Sequence, residues 1–301
     1  MEDAMKLSRL LALVVLVFAV SFGFTQYYQQ ISGMGGIDWT AGVVRATGIG
    51  APNPNMPPSA QRAGAIEAAK RVALRNLLEM VKGVYVNSET TIENAMVSSD
   101  LIRTRVEGVV RNFRVVDTRY MSTGDVEVDV EVPLSSFYDV FLPPETGQAG
   151  QPLLCPTCGQ PWPKGKPYPF PRPQKPGQTN EGTAGATSVA YSGLIVDARG
   201  LGVRPALAPR ILDEQGNEVY GTGYVSRDYA IQIGVVGYEK AVDRARSNER
   251  VAPNPLVIKG LKAAGPNHTD VVISNTDAQM IRAAAANLNF LDQCKVMIVL
   301  D

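Results

Sequence analysis

The sequence contains few of the residue types from which histidine-based catalytic and metal sites are built. Its 301 residues include one histidine, His268, and three cysteines. Catalytic triads and histidine metal sites need more imidazole partners, and a single histidine in a polar loop is normally exposed. Lysine plus arginine and aspartate plus glutamate both number 29, so no net charge attracts the chain to nucleic acid or to an anionic membrane. We therefore expect a protein that acts by binding and assembly, without enzymatic activity, cofactor or nucleic-acid partner.

The amino terminus is typical of an exported protein. Lys6 and Arg9 precede an apolar run over residues 10–22, and small residues lie near its end, at Ala19, Ser21 and Gly23. This is the pattern of a signal peptide, and the run is shorter than the roughly 20 apolar residues that span a bilayer. Residues 1–24 are therefore predicted to be a signal peptide or, as the alternative, an N-terminal anchor that associates with the membrane. The predicted location is the periplasm or the outer membrane.

Residues 37–142 are predicted to form an α+β domain with helices packed on an antiparallel sheet. Residues 39–50 are predicted to be a strand, because a β-rich run is followed by a proline-rich turn. From residue 59 to residue 81 apolar side chains recur at steps of three and four, which predicts a helix with one buried face that ends at Gly83. A second helix is expected to begin at Ser98 or Ser99, either of which can cap it.

The strongest local pattern predicts a β-hairpin over residues 113–121 and 125–133. In its second strand valines alternate with Glu127, Asp129 and Glu131, which indicates one buried and one solvent-exposed face. The carboxylates are interpreted as a soluble face, since an open row of acids is a poor general acid and base. Exposed strand edges, at this hairpin or at residues 39–50, are expected to accept an envelope protein or a second copy of the chain.

A change in composition divides the chain. Residues 143–188 are rich in proline and glycine and are predicted to be a linker. Residues 189–301 are predicted to form a second α+β domain, so the fold class is α+β with two small domains. Its predicted helix covers residues 277–288, capped by Asn275 or Thr276. Its predicted strands cover residues 191–197, 210–213, 256–264, 270–274 and 295–300.

The linker carries the only pair of cysteines with ligand-like spacing. Cys155 and Cys158 are separated by two residues, and two such thiolates supply half of a tetrahedral zinc site. The remaining candidates, Cys294 and His268, lie in a different predicted domain. In an oxidising compartment the alternative is a local disulfide. Three interpretations stay open: a local disulfide, a zinc site that pairs Cys155 and Cys158 from two chains, and no specific role for the two cysteines.

Three further groups of residues are candidate sites. Asp197, Arg199 and Asp213 are the candidates for a rival interpretation, an exported metal-dependent enzyme with its site in the second domain. Gly48-Ile49-Gly50 lacks the third glycine and the following helix of a dinucleotide loop, so we interpret it as a bend in the chain. Gly200-Leu201-Gly202 is interpreted as an ordinary turn rather than an anion site.

Three stretches of the first domain resemble one bacterial family. They are, in chain order, Arg45-Ala46-Thr47-Gly48-Ile49-Gly50 followed by the alanine-rich helix and Val81-Lys82-Gly83-Val84, then Ser98-Ser99-Asp100-Leu101-Ile102-Arg103-Thr104-Arg105-Val106-Glu107-Gly108, then the hairpin ending in residues 126–133. Together they resemble the lipoprotein-20-like family of bacterial envelope lipoproteins, which includes flagellar outer-membrane and basal-disk proteins. The resemblance implies an α+β domain, an envelope location and a non-catalytic structural role in flagellar or other outer-membrane-associated assembly. The acylated cysteine of that family is missing, and residues 189–301 are not part of its pattern.

Overall fold

The computed structural model describes residues 27–142, 191–287 and 289–301. The predicted signal peptide and the whole predicted linker, with Cys155 and Cys158, lie outside the described residues. The described chain combines helices with antiparallel and parallel sheets, which confirms the α+β fold class. Within the part that the structure describes, no helix is both long enough and apolar enough to cross a membrane.

The first part of the chain is a five-stranded antiparallel sheet with helices packed against it. The strand order is β1-β2-β3-β5-β4, and the long helix α1 lies across β3 and β5. The elements are β1 (Tyr28–Ser32), β2 (Gly35–Asp38), β3 (Val43–Gly50), α1 (Pro58–Lys82), α2 (Ile92–Ser98), α3 (Asp100–Arg111), β4 (Arg114–Tyr120), β5 (Val126–Pro133) and α4 (Ser135–Phe141). The predicted first helix, the hairpin and the Ser99 cap are confirmed, since the Ser99 hydroxyl accepts a hydrogen bond from the Ile102 amide.

The two glycines of Gly48-Ile49-Gly50 allow α1 to lie directly on the sheet. Both are regular residues of β3, so the interpretation of this segment as a bend was wrong. A Cβ on Gly48 would lie 2.2 Å from the carbonyl oxygen of Ala69, and one on Gly50 would lie 2.1 Å from that of Ala65. Real Cβ atoms are not found so close to backbone atoms, so a residue with a side chain would not fit at either position. The backbone of the helix therefore packs directly on the backbone of the strand. Alanines on the buried face of α1 complete this close packing.

The edges of this sheet differ from the prediction. β3 lies between β2 and β5, so residues 39–50 offer no free edge. The hairpin does form one edge, through β4, but its regularity is broken where the register shifts between Val115 and Asp117. The Asp117 carboxylate also accepts a hydrogen bond from the Thr118 amide at 2.8 Å. Bulges and charged side chains are the usual means by which proteins prevent strand addition at an edge.

The acidic face of β5 is not the open solvent-exposed row that the alternation predicted. Glu131 is 4% exposed and forms ion pairs with Arg45 on β3 and Arg114 on β4. Glu127 and Asp129 both pair with Arg119 on β4. Arginines from the two neighbouring strands therefore cover this face and hold the three strands together, which the pattern of one strand could not reveal.

The second part of the chain contains two four-stranded sheets. One is parallel, with order β10-β6-β13-β9, and the other is mixed, with order β11-β12-β7-β8. The predicted strand over residues 256–264 is two strands in different sheets. The elements are β6 (Gly193–Asp197), β7 (Ile211–Leu212), β8 (Glu218–Tyr220), α5 (Arg227–Ile233), β9 (Gly237–Glu239), α6 (Val242–Ser247), β10 (Pro255–Lys259), β11 (Lys262–Ala264), β12 (Asp270–Val272), α7 (Asn275–Asn287) and β13 (Val296–Val299).

Helix α7 begins at Asn275, and its cap lies one residue before the predicted caps. The Ser274 hydroxyl accepts a hydrogen bond from the Asp277 amide and donates one to the Asp277 carboxylate. This reciprocal pairing satisfies an amide that the helix itself leaves free at its first turn. Ser274, rather than Asn275 or Thr276, is therefore the residue that caps α7.

The described residues before 142 and those from 191 onward belong to one compact unit. Backbone amides of Leu207 and Ala208 donate to the carbonyls of Tyr85 and Val86, at 2.9 and 2.7 Å. Arg210 pairs with the fully buried Asp270 and reaches across to the hydroxyl of Ser88. The two parts therefore share backbone and side-chain hydrogen bonds, and they enclose a cleft between them.

Candidate functional site: a cleft between the two parts of the unit

A cleft of about 680 Å³ lies where the first part of the chain meets the parallel sheet. One side is formed by the turn between β2 and β3, the end of β5 and helix α4. The other side is formed by α5, β9 and the segments that lead into β10 and β13. Clefts of this volume are typical of sites for small organic ligands.

One wall of the cleft is aromatic and rigid. The rings of Trp39 and Tyr238 meet edge to face, with centroids 5.4 Å apart. The Tyr238 hydroxyl accepts from the amide of Ala206 and donates to its carbonyl, while the Trp39 indole donates to the Gln29 side chain. These polar atoms already have partners, and Trp39 and Tyr238 are only 5% and 3% exposed, so the two residues form a closed, packed wall with little free ring surface.

The opposite rim is apolar and exposed. Tyr229 and Ile233 lie four residues apart on α5 and both line the cleft, with exposed fractions of 41% and 42%. Residues at this spacing share one face of a helix. An ion pair of 2.6 Å between Arg227 and Asp139 connects the start of α5 to α4. The rim is thus a fixed apolar surface that faces the cleft.

Arg250 places a positive charge on the cleft lining. Its guanidinium donates to the backbone carbonyls of Gly234 and Cys294, at 3.1 and 3.0 Å, and to that of Ile233. Burial lowers the pKa of Arg250, although nearby phenol groups oppose that change. An arginine stays charged at physiological pH even so. In residues 27–142, 191–287 and 289–301 no carboxylate forms an ion pair with it.

The acids beside Arg250 are neutral at physiological pH. Burial raises the pKa of Tyr138 to about 12 and that of the Cys294 thiol to about 11. Burial also raises the pKa of Tyr220, whose hydroxyl donates to the carbonyl of Val235 at 2.6 Å. A group that serves as general base or nucleophile needs a pKa close to the working pH. These three side chains therefore act as neutral hydrogen-bonding and packing groups.

The remaining polar groups of the cleft include one further cation, one anion, several amides and the hydroxyls of Thr40 and Ser135. Lys295 is half-buried and lines the cleft, and none of the described residues forms an ion pair with it. Glu249 is exposed at the lining, and Gln232 and Gln293 contribute side-chain amides. The cleft therefore combines two cations, one carboxylate, amides and an aromatic wall.

The predicted enzyme residues are not brought together at this cleft. Asp197 pairs with Arg199, its own neighbour, at 2.7 Å. Asp213 is held by the Asn217 side chain and pairs with Arg282 at 3.1 Å. Across the described ranges, no group of three or more histidine, cysteine or acidic side chains is placed to hold a metal ion. The alternative that these residues hold a metal gains no support from their positions.

Two other predicted features have ordinary structural settings. His268 is exposed, as expected for a polar loop, and has a positive φ of 56°. The Gly200 amide donates to the Asp301 carboxylate at 2.8 Å. The Asp301 carboxylate of the protein itself therefore binds the backbone of the turn Gly200-Leu201-Gly202, the candidate anion site.

The sequence contained no pattern that pointed to the cleft. Its lining comes from segments far apart in the chain, and Trp39, Tyr229, Arg250 and Lys295 were not singled out. The single usable signal was the i,i+4 pair Tyr229 and Ile233, which lies on a helix too short to produce a periodic pattern.

The second part of the chain is similar to a known protein domain. Residues 193–301 match the family described as Treponema pallidum Tp0624, second domain. The match covers about a third of the chain. It includes Tyr229, Arg250 and Lys295, whereas Trp39 and Tyr138 lie outside it. No curated protein matches the chain, and the resemblance of residues 37–142 to lipoprotein-20-like proteins stays a prediction.

Proposed function

We propose that the protein is an exported, non-catalytic component of the cell envelope that acts as a structural or adaptor protein and binds its partner or ligand in the cleft. The signal-like amino terminus and the lipoprotein-20-like segments support export and an envelope role. The similarity of residues 193–301 to a domain of Tp0624 adds no activity to this proposal.

The observation that carries the binding role is the state of Arg250 on the cleft lining and of the acids beside it. Tyr138, which also lines the cleft, and the fully buried Cys294 are neutral because burial raises their pKa values, and Arg250 is held by three backbone carbonyls. Proton transfer and nucleophilic attack both need a group that changes charge near the working pH. Fixed charge, amides and aromatic surface are instead the features of a recognition site.

Photo-crosslinking in cells tests this role. A photoreactive phenylalanine analogue replaces Tyr229 in the cleft, and in a matched control it replaces Tyr224, which is similarly exposed at 46% but is not part of the cleft lining. We expect a defined adduct from position 229 and none from position 224, in the envelope fraction. Adducts of equal yield from both positions would argue against a cleft-specific partner.

Cell fractionation tests export separately. The protein is expected in the periplasmic or outer-membrane fraction, and sequencing of its mature amino terminus shows whether residues 1–24 are removed. Recovery of the intact chain from the cytoplasm would refute the envelope location, whatever the crosslinking result.

A further inference from the structure

We infer that the cleft recognises a carboxylate that is joined to an apolar group, as in a peptide carboxyl terminus or an N-acylated hydrophobic amino acid. This inference rests on the proposed function, since it names the ligand class for the same cleft. Three observations carry it: the unbalanced positive charge, the modest size of that charge, and the apolar rim beside it.

The first observation is that, among the described residues, no carboxylate forms an ion pair with Arg250 or Lys295. A guanidinium has five N–H groups, and three of those on Arg250 go to the carbonyls of Ile233, Gly234 and Cys294. The Nε atom of Arg250 lies close to Gly237, since a Cβ added to this glycine would be 3.1 Å from it. A partly buried cation that is held only by carbonyl dipoles is stabilised further when an anion approaches it. Lys295 lies on the same lining and adds a second positive charge.

The second observation is that this charge suits a single negative charge better than a doubly charged phosphate. With Glu249 on the lining, the ionised side chains of the cleft sum to one positive charge. The carbonyl oxygens that hold Arg250 point their negative ends toward the guanidinium and repel additional negative charge nearby. A carboxylate neutralises this site, whereas a phosphate dianion leaves an excess of negative charge in a partly buried place.

The third observation is the surface beside the cations. Tyr229 and Ile233 on α5 line the cleft and are 41% and 42% exposed, so they supply its accessible apolar surface, whereas the Trp39 and Tyr238 rings of the wall are almost fully buried. Burial of apolar ligand surface against such groups favours binding by about 25 cal/mol per Å². The ligand is therefore expected to carry an apolar or aromatic group next to its carboxylate.

Calorimetric titration of the protein purified from cells tests the inference with four probes: acetyl-Ala-Ala-Phe with a free carboxylate, the same peptide as its amide, acetyl-phenylalanine, and phenyl phosphate. We expect the free acid to bind about tenfold more tightly than the amide, as for loss of one charge-assisted hydrogen bond. Lys295→Gln is expected to weaken binding of the acid about tenfold and to leave binding of the amide unchanged. Lys262→Gln, an exposed lysine on β11 that is not part of the cleft lining, is the matched control and should have no effect.

The outcomes separate this inference from the proposed function. Tighter binding of the tripeptide than of acetyl-phenylalanine supports a peptide terminus as the source of the carboxylate, and equal binding supports a small acid. Equal binding of acid and amide, preferred binding of phenyl phosphate, or no binding of any probe by the folded protein would overturn the ligand class. If crosslinking from position 229 still gives its specific adduct in those cases, the cleft remains a binding site and only the ligand class is wrong.

Discussion

The buried carboxylate of Glu131 is predicted to be a main electrostatic support of the first sheet. It lies opposite Arg45 on one neighbouring strand and Arg114 on the other. Its residue is almost fully buried, while the side chains of the two arginines are 50% and 75% exposed. Replacement by glutamine keeps the shape and removes the charge. Since hydrogen bonds to charged groups contribute about 1.5–3 kcal/mol and the arginines can return to water, we expect Glu131→Gln to lower the free energy of unfolding by about 1–2 kcal/mol at pH 7.

The same ion pairs predict how this loss depends on pH. Burial acts to raise the pKa of Glu131, but the hydrogen bonds from Arg114 and Arg45 outweigh it, so the pKa lies below its ordinary value of 4.5. The folded state therefore binds the proton less readily than the unfolded state, and the stabilisation is present above pH 4.5. It declines as the pH falls from 4.5 through the lowered pKa. A protonated glutamate resembles glutamine, so the difference between the two proteins should disappear in acid.

Urea unfolding followed by circular dichroism at pH 7 and at successively lower pH measures both effects. Glu127→Gln is the matched control, because Glu127 lies on the same strand and pairs with the half-exposed Arg119. Its cost is expected to be below about 1 kcal/mol. A loss at Glu131 no larger than at Glu127, or a difference from wild type that stays constant as the pH falls, would refute the assigned role.

Three further predictions concern packing, the contact between the two parts of the unit, and a second buried acid. Gly50→Ala is expected to lower the free energy of unfolding by about 3 kcal/mol or more, since its Cβ would lie 2.1 Å from helix backbone. Gly108→Ala in α3, with open space around it, is the control and should raise the free energy of unfolding by about 0.5–1 kcal/mol. Thermal unfolding of both variants measures the two changes. Arg210→Ala is expected to lower the unfolding free energy by about 2–3 kcal/mol in urea, because it leaves the buried Asp270 without its cation; a loss below about 1 kcal/mol would contradict this. Burial raises the pKa of Glu239, and its Oε2 has no hydrogen-bond partner in the described structure. Wild-type stability should therefore fall as the pH rises above 4.5 toward the raised pKa, and the melting temperature of Glu239→Gln relative to wild type should be higher at pH 8 than at pH 4.

Local signals in the sequence were sufficient for the longer elements of the fold. The three- and four-residue steps of α1, the alternation of β5 and the serine before α3 each depend on neighbours in the chain, and all three were predicted. Short elements gave no such signal. Strand β9 has three residues and helix α6 has six, which is less than two helical turns and too little for periodicity to emerge.

Some sequence features were misinterpreted because their meaning depends on residues elsewhere in the chain. Gly48 and Gly50 are typical of a bend until α1 is placed on top of them. Glu131 is typical of a solvated face until arginines from two other strands cover it. Gly260 lies between β10 and β11, where a Cβ would lie 2.8 Å from Leu201 and 2.9 Å from Val271. No pattern within residues 256–264 contains these contacts.

The cleft combines contributions from both parts of the unit, and this limits what the match to Tp0624 says about its ligand. Gly234 ends α5 with a φ of 82°, and a Cβ there would lie 2.7 Å from the Tyr138 hydroxyl. Tyr138 therefore packs against the turn whose carbonyl holds Arg250. Trp39, which supplies one ring of the aromatic wall, and Tyr138, which supplies this packing, lie outside residues 193–301, while Tyr238 and the cations lie within the matched residues. A protein that shares only the matched domain can retain Tyr238 and the cations and still lack Trp39 and Tyr138. Arg250 also connects the end of α5 to Cys294 through its hydrogen bonds, so its removal would change folding and binding together. Substitution of Lys295 instead tests the effect of the charge on binding separately from the fold.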